Sequence, residues 1–173
     1  RYFMSLGMIN KSAIFKQSDV NKYNTNVNWH KYTFRANVEA NMTKTTILSL
    51  GLDGTIIKQN FPGYGNDNTA LWTSQANLTP VTVPLRYSDG KLAAYGKDGN
   101  QISPYVLLNE TGFKINHRTT TKVNFGINQK LDFLLEGLSA NALFSFTQNS
   151  THNVDRKKMP ALYKATGRYN DGS

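Results

Sequence analysis

The sequence predicts an all-β fold: antiparallel transmembrane β-barrel strands, forming part of a barrel, with long extracellular loops. Three features predict it. Several segments of about ten residues alternate strictly between apolar and polar side chains, which suits strands and not helices. Short polar links and very long ones take turns between those segments, the asymmetry expected of outer-membrane barrels. The runs also approach the length a tilted strand needs to cross a bilayer, whereas about five or six residues is usual in water-soluble sheets.

The opening segment 1–9, RYFMSLGMI, sets Tyr2, Met4, Leu6 and Met8 on one face, and residues 10–29 form a polar connection. Residues 31–42 alternate without a break. Tyr32, Phe34, Ala36, Val38, Ala40 and Met42 oppose Lys31, Thr33, Arg35, Asn37, Glu39 and Asn41, charges that a helix would scatter around its circumference. After the link at 43–45, residues 46–57 alternate again, with Leu48, Leu50, Leu52 and Ile56 against Ser49, Gly51, Asp53 and Thr55. Two long strands with so short a link form an antiparallel hairpin.

Residues 58–116 break the pattern with Pro62, Pro80, Pro84 and Pro104 and many glycines, and read as one long external loop. Phe61, Tyr64, Trp72, Tyr87, Tyr95 and Tyr105 argue that this loop is folded. SDGK at 88–91 and KDGN at 97–100 read as turns, with a small hairpin between them.

Alternation returns at 117–128, where Thr121, Val123, Phe125 and Ile127 oppose Lys122, Asn124, Gly126 and Asn128. A helical turn is expected at 131–135, from the leucines at 131, 134 and 135. The last strand, 137–148, groups Leu138, Ala140, Ala142, Phe144 and Phe146. Glu136 would share the apolar parity of Leu138, so the regular strand is expected to start after it. Residues 149–173 read as loop.

The 173 residues match one ordinary domain, and the absence of cysteine excludes disulfides and thiolate metal sites. A net charge of +9 suggests nucleic acid or an anionic surface. The cations are scattered, however, with the densest group at Arg156, Lys157 and Lys158, and no nucleic-acid partner is expected. His30, His117 and His152 are isolated in sequence; Asn66, Asp67 and Asn68 fit a turn better than a calcium loop. With no nucleotide or nucleophile motif either, no catalytic residue, metal or cofactor is expected, and the chain reads as a non-enzyme. RYFMSLGMINKS lacks a signal-peptide core, so an export signal is expected outside this chain.

Three segments carry a family likeness: NKYNTNVNWHKYTFRANVEANMTKTTILSLGLDG at 21–54, FPGYGNDNTALW at 61–72 and LDFLLEGLSANALFSF at 131–146. Together they resemble the barrel region of SusC/RagA-type TonB-dependent transporters of Bacteroidetes outer membranes. The resemblance spans the chain but only a fraction of a family protein, whose plug and TonB box are not recognised here. It implies import of a nutrient, an oligosaccharide or sometimes a peptide, with a SusD-like surface lipoprotein. It also implies energy from TonB through a plug outside this chain, and contact with outer-membrane lipid.

On that reading Arg35, Glu39, Asp53, Lys122 and Asn124 face the lumen; in any half-buried sheet they would face water. Tyr64, Trp72, Tyr87, Tyr95 and Tyr105 suit stacking on sugar rings or contact with the lipoprotein, and equally suit packing inside the loop. Two other functions fit the composition: a soluble all-β carbohydrate-binding module, whose apolar faces would pack on each other, and a structural or adhesive β protein.

Overall fold

The structure, a computed structural model, describes residues 1–18, 22–64, 68–78, 84–96 and 101–167, with backbone alone for 68–70. It is all-β, 59% strand and 9% helix. The strands are β1 (Tyr2–Ser12), β2 (Asn28–Asn41), β3 (Thr46–Pro62), β4 (Ala94–Tyr95), β5 (Gln101–Ile102), β6 (Gly112–Lys130) and β7 (Ser139–Lys157). Two helices, α1 (Asn68–Asn77) and α2 (Pro104–Asn109), lie between β3 and β6 in the chain. One sheet has the order β1-β2-β3-β6-β7, and β4 pairs with β5 in another. The chain divides into two compact units, residues 1–11, 29–59 and 116–153, and residues 12–28, 60–115 and 154–173.

In the first unit, contacts along each strand pair agree on one register. Between β1 and β2, Glu39 N donates to Arg1 O at 2.8 Å, and at the other end Lys11 Nζ lies 5.5 Å from the ring centre of Trp29. Between β2 and β3, Met42 N donates to Thr46 O at 3.0 Å, Gly51 approaches Asn37, and Gly54 lies against the Phe34 ring. Between β3 and β6, Lys130 N donates to Thr45 O at 2.8 Å and Gly51 approaches Asn124. Between β6 and β7, Leu131 N donates to Leu138 O at 2.8 Å, and Thr120 Oγ1 donates to Asn149 Oδ1 at 2.8 Å. In every pair the residue numbers rise on one strand as they fall on the other, so the sheet is antiparallel.

Side chains alternate across a strand, so an unbroken register fixes the facing of the whole sheet. Tyr2, Val38, Leu50, Phe125 and Phe144 fall in one cross-strand row; Met4, Ala36, Leu52, Val123 and Phe146 fall in another on the same face. The opposite face carries Ser5, Arg35, Asp53, Lys122 and Thr147 in one row and Phe3, Asn37, Gly51, Asn124 and Ser145 in the next. Within the first unit no second layer covers the apolar face. Tyr2 is 90% exposed, Leu6 81% and Phe144 64%, and every buried apolar residue of the described chain belongs to the other unit. The sheet does not close into a barrel; β1 and β7 are its edges.

The strands are longer than alternation alone indicates. β2 begins at Asn28, β3 continues to Pro62, β6 runs from Gly112 to Lys130, and β7 continues to Lys157 where a loop was expected. Beyond the apolar stretch the alternation lapses, with Trp29, Phe61, Phe113, Ile115 and Val154 set singly among polar residues, so the pairing persists on backbone hydrogen bonds while the sequence pattern vanishes. β7 starts at Ser139, and Glu136 lies in the 131–138 turn, where Leu134 N and Leu135 N both donate to Leu131 O.

In the second unit, the expected single loop contains both helices and the small sheet. Ser103 caps α2, its Oγ accepting from Tyr105 N at 3.3 Å, with Pro104 opening the helix. Leu71 of α1 packs with Leu107 and Leu108 of α2, flanked by Phe15 and Ile102. Asn109 is fully buried and joins α2 to the β1–β2 connection: its Oδ1 accepts from Ser18 N and Thr25 Oγ1, and its Nδ2 donates to Lys16 O and Tyr105 O. Asn60 Nδ2 adds bonds to Asn24 O and Asn26 O, so the 13–27 connection is tied down at several points.

SDGK forms a tight turn, with Gly90 N donating to Tyr87 O, closed by an Arg86–Leu92 bridge. Residues 92–95 are thus shared among three small pairings, with Arg86, with Tyr163 and with β5, and do not form a hairpin among themselves. KDGN at 97–100 and the Asn66–Asp67 pair lie outside the described residues. In the SDGK turn the Lys91 side chain donates to Asp89 Oδ2 at 2.7 Å, which holds the Asp89 carboxyl below and the Lys91 amine above their ordinary values. The pairing therefore favours the turn above the ordinary aspartate pKa, and the gain is lost as acid protonates Asp89 through its lowered value. At high pH it is lost as Lys91 deprotonates through its raised value. Carboxyl titration by NMR should show Asp89 returning toward an ordinary value in Lys91→Gln, with full exposure keeping the stability change small.

Gly112 has φ +95°, and a Cβ there would run into the Arg156 carbonyl oxygen. Gly137, with φ +78°, faces open space. Gly112→Ala is expected to lower unfolding free energy by about 1–3 kcal/mol. Gly137→Ala carries only the backbone strain and should cost less, at about 1 kcal/mol. Equal losses in denaturant titrations would contradict the steric account.

Candidate functional site

The polar face of the first unit is the candidate site. Period-two placement brings Arg35 of β2, Asp53 of β3 and Lys122 of β6 into one row, although they lie far apart in sequence. Arg35 Nε and Asp53 form an ion pair, and Lys122 lines the same hollow, together with Ser5, Thr33, Thr55 and Thr120. The Arg35 side chain remains 60% exposed and that of Asp53 29%, so water screens the pair. One carboxylate between two cations leaves this row with excess positive charge.

The next row belongs to amides and hydroxyls. Asn124 Oδ1 accepts from Ser145 Oγ at 2.7 Å, and Asn37 and Asn124 both flank Gly51. Farther along, Asn128 Nδ2 donates to Asn141 Oδ1, while Glu39 lies near Ser49 in a shallow hollow. All five polar-face residues expected from sequence, Arg35, Glu39, Asp53, Lys122 and Asn124, therefore share one side of one sheet. Ser5, Thr147, Asn37 and Ser145 join them through the register, which no local pattern reveals. Phe3, Ile47 and Leu143 interrupt this face. Its chemistry is hydrogen bonding and charge, and it holds no pairing of a nucleophile with a base. Among the described residues no group of three or more His, Cys, Asp or Glu side chains is placed to hold a metal.

The aromatic candidates do not form one platform. Tyr64 and Trp72 are exposed, with the Trp72 ring centre 6.5 Å from that of Phe15. Tyr87 Oη accepts from Ala165 N at 3.0 Å, which fixes that ring inside the loop, and Tyr105 is half-buried on α2. Tyr95 is only 7% exposed, so its ring packs in the loop core and is unavailable to a sugar. Of the roles expected for Tyr95, packing inside the loop is the one its burial matches. The sequence marked it as aromatic and could not show that β4 turns it inward.

Fold and site together define an all-β chain with one open, two-faced antiparallel sheet. No known family model, curated protein or solved structure matches it.

A double-mutant cycle on Arg35→Ala and Asp53→Ala should give a coupling of about 0.2–1 kcal/mol, the size usual for an exposed pair, and it should shrink in high salt. A coupling of several kcal/mol that ignores salt would mean that the pair is sealed from water.

Proposed function

We propose that this chain forms part of the wall of an outer-membrane transporter of the SusC/RagA, TonB-dependent kind. On this reading it imports an oligosaccharide or peptide together with a SusD-like lipoprotein, and a plug outside this chain couples it to TonB. The observation that carries the reading is the uncovered apolar face opposite a polar one. In a sandwich a second sheet would cover that face, and among the described residues none does.

Two geometric points support it. From Tyr32 on β2 to Met42 just past its end, the apolar run spans roughly 33 Å, which at a tilt of about 40° is a slab about 25 Å thick, the height of a barrel's lipid-facing band. The two short turns, 42–45 and 131–138, lie at one end of the strands and the long connections at the other. The open edges of β1 and β7 would be paired with further strands of the wall, because hydrocarbon does not tolerate an unpaired edge.

Import of this kind needs no catalytic residue. The polar face would line the lumen, and the folded 63–111 segment would lie outside, where substrate and lipoprotein meet the wall. Leu50→Arg should destabilise the protein by roughly 2–4 kcal/mol in a bilayer, and Ser49→Arg by much less. Cysteines at the same two positions should divide, with a probe at Leu50→Cys quenched by brominated acyl chains and one at Ser49→Cys by aqueous iodide. Aqueous quenching at both would overturn the reading.

A further inference from the structure

The polar face of the first unit carries its cations in steps along the strands. Arg35 and Lys122 stand on either side of Asp53 in one cross-strand row. The next row toward the long connections is Gly7, Thr33, Thr55, Thr120 and Asn149, and the row after it holds Lys31 and Arg118. Lys11 follows one row farther, its Nζ 5.5 Å from the ring centre of Trp29. Successive rows on one face are two residues apart, so these four rows cover about 20 Å. Asp53 is the only carboxylate among them. Glu39 lies two rows back toward the short turns, and Asp132 and Glu136 lie in a turn. Lys31, Arg118 and Lys122 make no ion pair among the described residues.

Where the Arg35–Asp53–Lys122 row meets the threonine row, the surface forms a hollow of about 400 Å³. That lies within the size range of small-ligand sites. Donors remain open around it. Arg35 commits Nε to Asp53, which leaves its two terminal nitrogens as a fork that matches a carboxylate or sulfate. Lys122 adds an ammonium. In the threonine row, Asn149 Oδ1 accepts from Thr120 Oγ1, so Asn149 Nδ2 is left to donate. Neither row carries an apolar side chain.

Resting on the transporter-wall reading above, we infer that this hollow is a subsite for an acidic oligosaccharide, one bearing carboxylate or sulfate groups, and that the cations beyond it lead such a chain along the wall. Charge selects an anion, because each row from Asp53 outward leaves its cations in excess or adds more. The length of the ladder selects an extended polyanion; a single small anion would meet one step and leave the others unused. The absence of an apolar pocket favours a sugar, polar on its whole rim, over an acidic peptide, whose apolar side chains would find no place in these rows. Each exposed contact is weak alone, so selectivity comes from several acting together.

The test measures binding to the protein at its full natural length in lipid nanodiscs at low salt. The probes are a short oligogalacturonate, its uncharged methyl ester, and a sulfated galactose oligomer. The acid should bind several-fold more tightly than the ester, and added salt should narrow the gap. Lys31→Gln, Arg118→Gln and Lys122→Gln together should weaken the acid by roughly tenfold and leave the ester unchanged. Asp53→Asn, which frees Arg35, should tighten the acid by roughly threefold, a gain that misfolding cannot produce. A preference for sulfate over carboxylate, or the reverse, tells which group the hollow takes, and either supports the inference. Equal binding of acid and ester overturns it, as does binding that none of these changes alters. An oligoglutamate bound as tightly as the uronate, with the same response to the variants, overturns the choice of a sugar. Probes at Leu50→Cys and Ser49→Cys in the same discs separate the two readings. Lipid quenching at Leu50→Cys with equal binding of acid and ester sinks only this inference, whereas aqueous quenching at both positions sinks the wall reading beneath it.

Discussion

Backbone pairing in one uninterrupted register is the constraint from which the other features follow. A slip of one residue in any of the four strand pairings would move that strand's apolar set to the polar side. It would place Leu50 beside Asn37 and Asp53 among phenylalanines, exposing the ion pair and the apolar row to the wrong media. The contacts that report the register, from Arg1–Glu39 at one end of β1–β2 to Lys11–Trp29 at the other, show no bulge or shift. Gly54 illustrates how closely side chains follow from it. A Cβ there would occupy the Phe34 ring, so the large ring on β2 depends on the missing side chain on β3.

The register concentrates side chains of one type on each face, and that sets the energetic problem of this chain. Each large apolar side chain moved out of water is worth about 1.5–3 kcal/mol, and more than a dozen stand on the uncovered face. A water-soluble sheet of this size would bury such a face against a helix or another sheet. The second unit has its own small core around Val106, Leu107 and Leu108 and uses its apolar residues there. The proposed role supplies hydrocarbon as the medium for that face, at a band height that suits it.

Alternation in sequence recovered the portion of each strand within that band and missed the rest. Residues 31–42 and 46–57 were legible because one neighbour in two was apolar. Asn149–Lys157 was illegible because Asn149, Thr151 and Asn153 are as polar as Ser150 and His152 opposite them, and only the pairing with β6 makes them strand. The helices of the 63–111 region were hidden for different reasons. α1, NTALWTSQAN, has no apolar face to betray it, whereas Ser103-Pro104 was a readable cap overlooked amid proline and glycine. Facing was legible for Arg35, Glu39, Asp53, Lys122 and Asn124, yet their grouping into rows depends on which strands are neighbours, and β3 next to β6 skips two short strands and two helices. Burial of Tyr95 likewise depends on tertiary contact.

The same sorting governs where the cations behind the net charge of +9 stand in the first unit. In the first unit Arg1, Lys11, Lys31, Arg35, Arg118 and Lys122 all take polar-face parity, offset by Glu39 and Asp53. The apolar face admits Lys58 alone, and only past the last apolar row. A basic patch shaped for a phosphate backbone would cluster its cations on a convex or grooved surface with aromatic or amide neighbours at regular intervals. Here their spacing follows the strand repeat, and their side follows whichever face tolerates charge. Excess positive charge in this unit thus follows the polar face of the sheet, and on the proposed role it would act on what passes along that face.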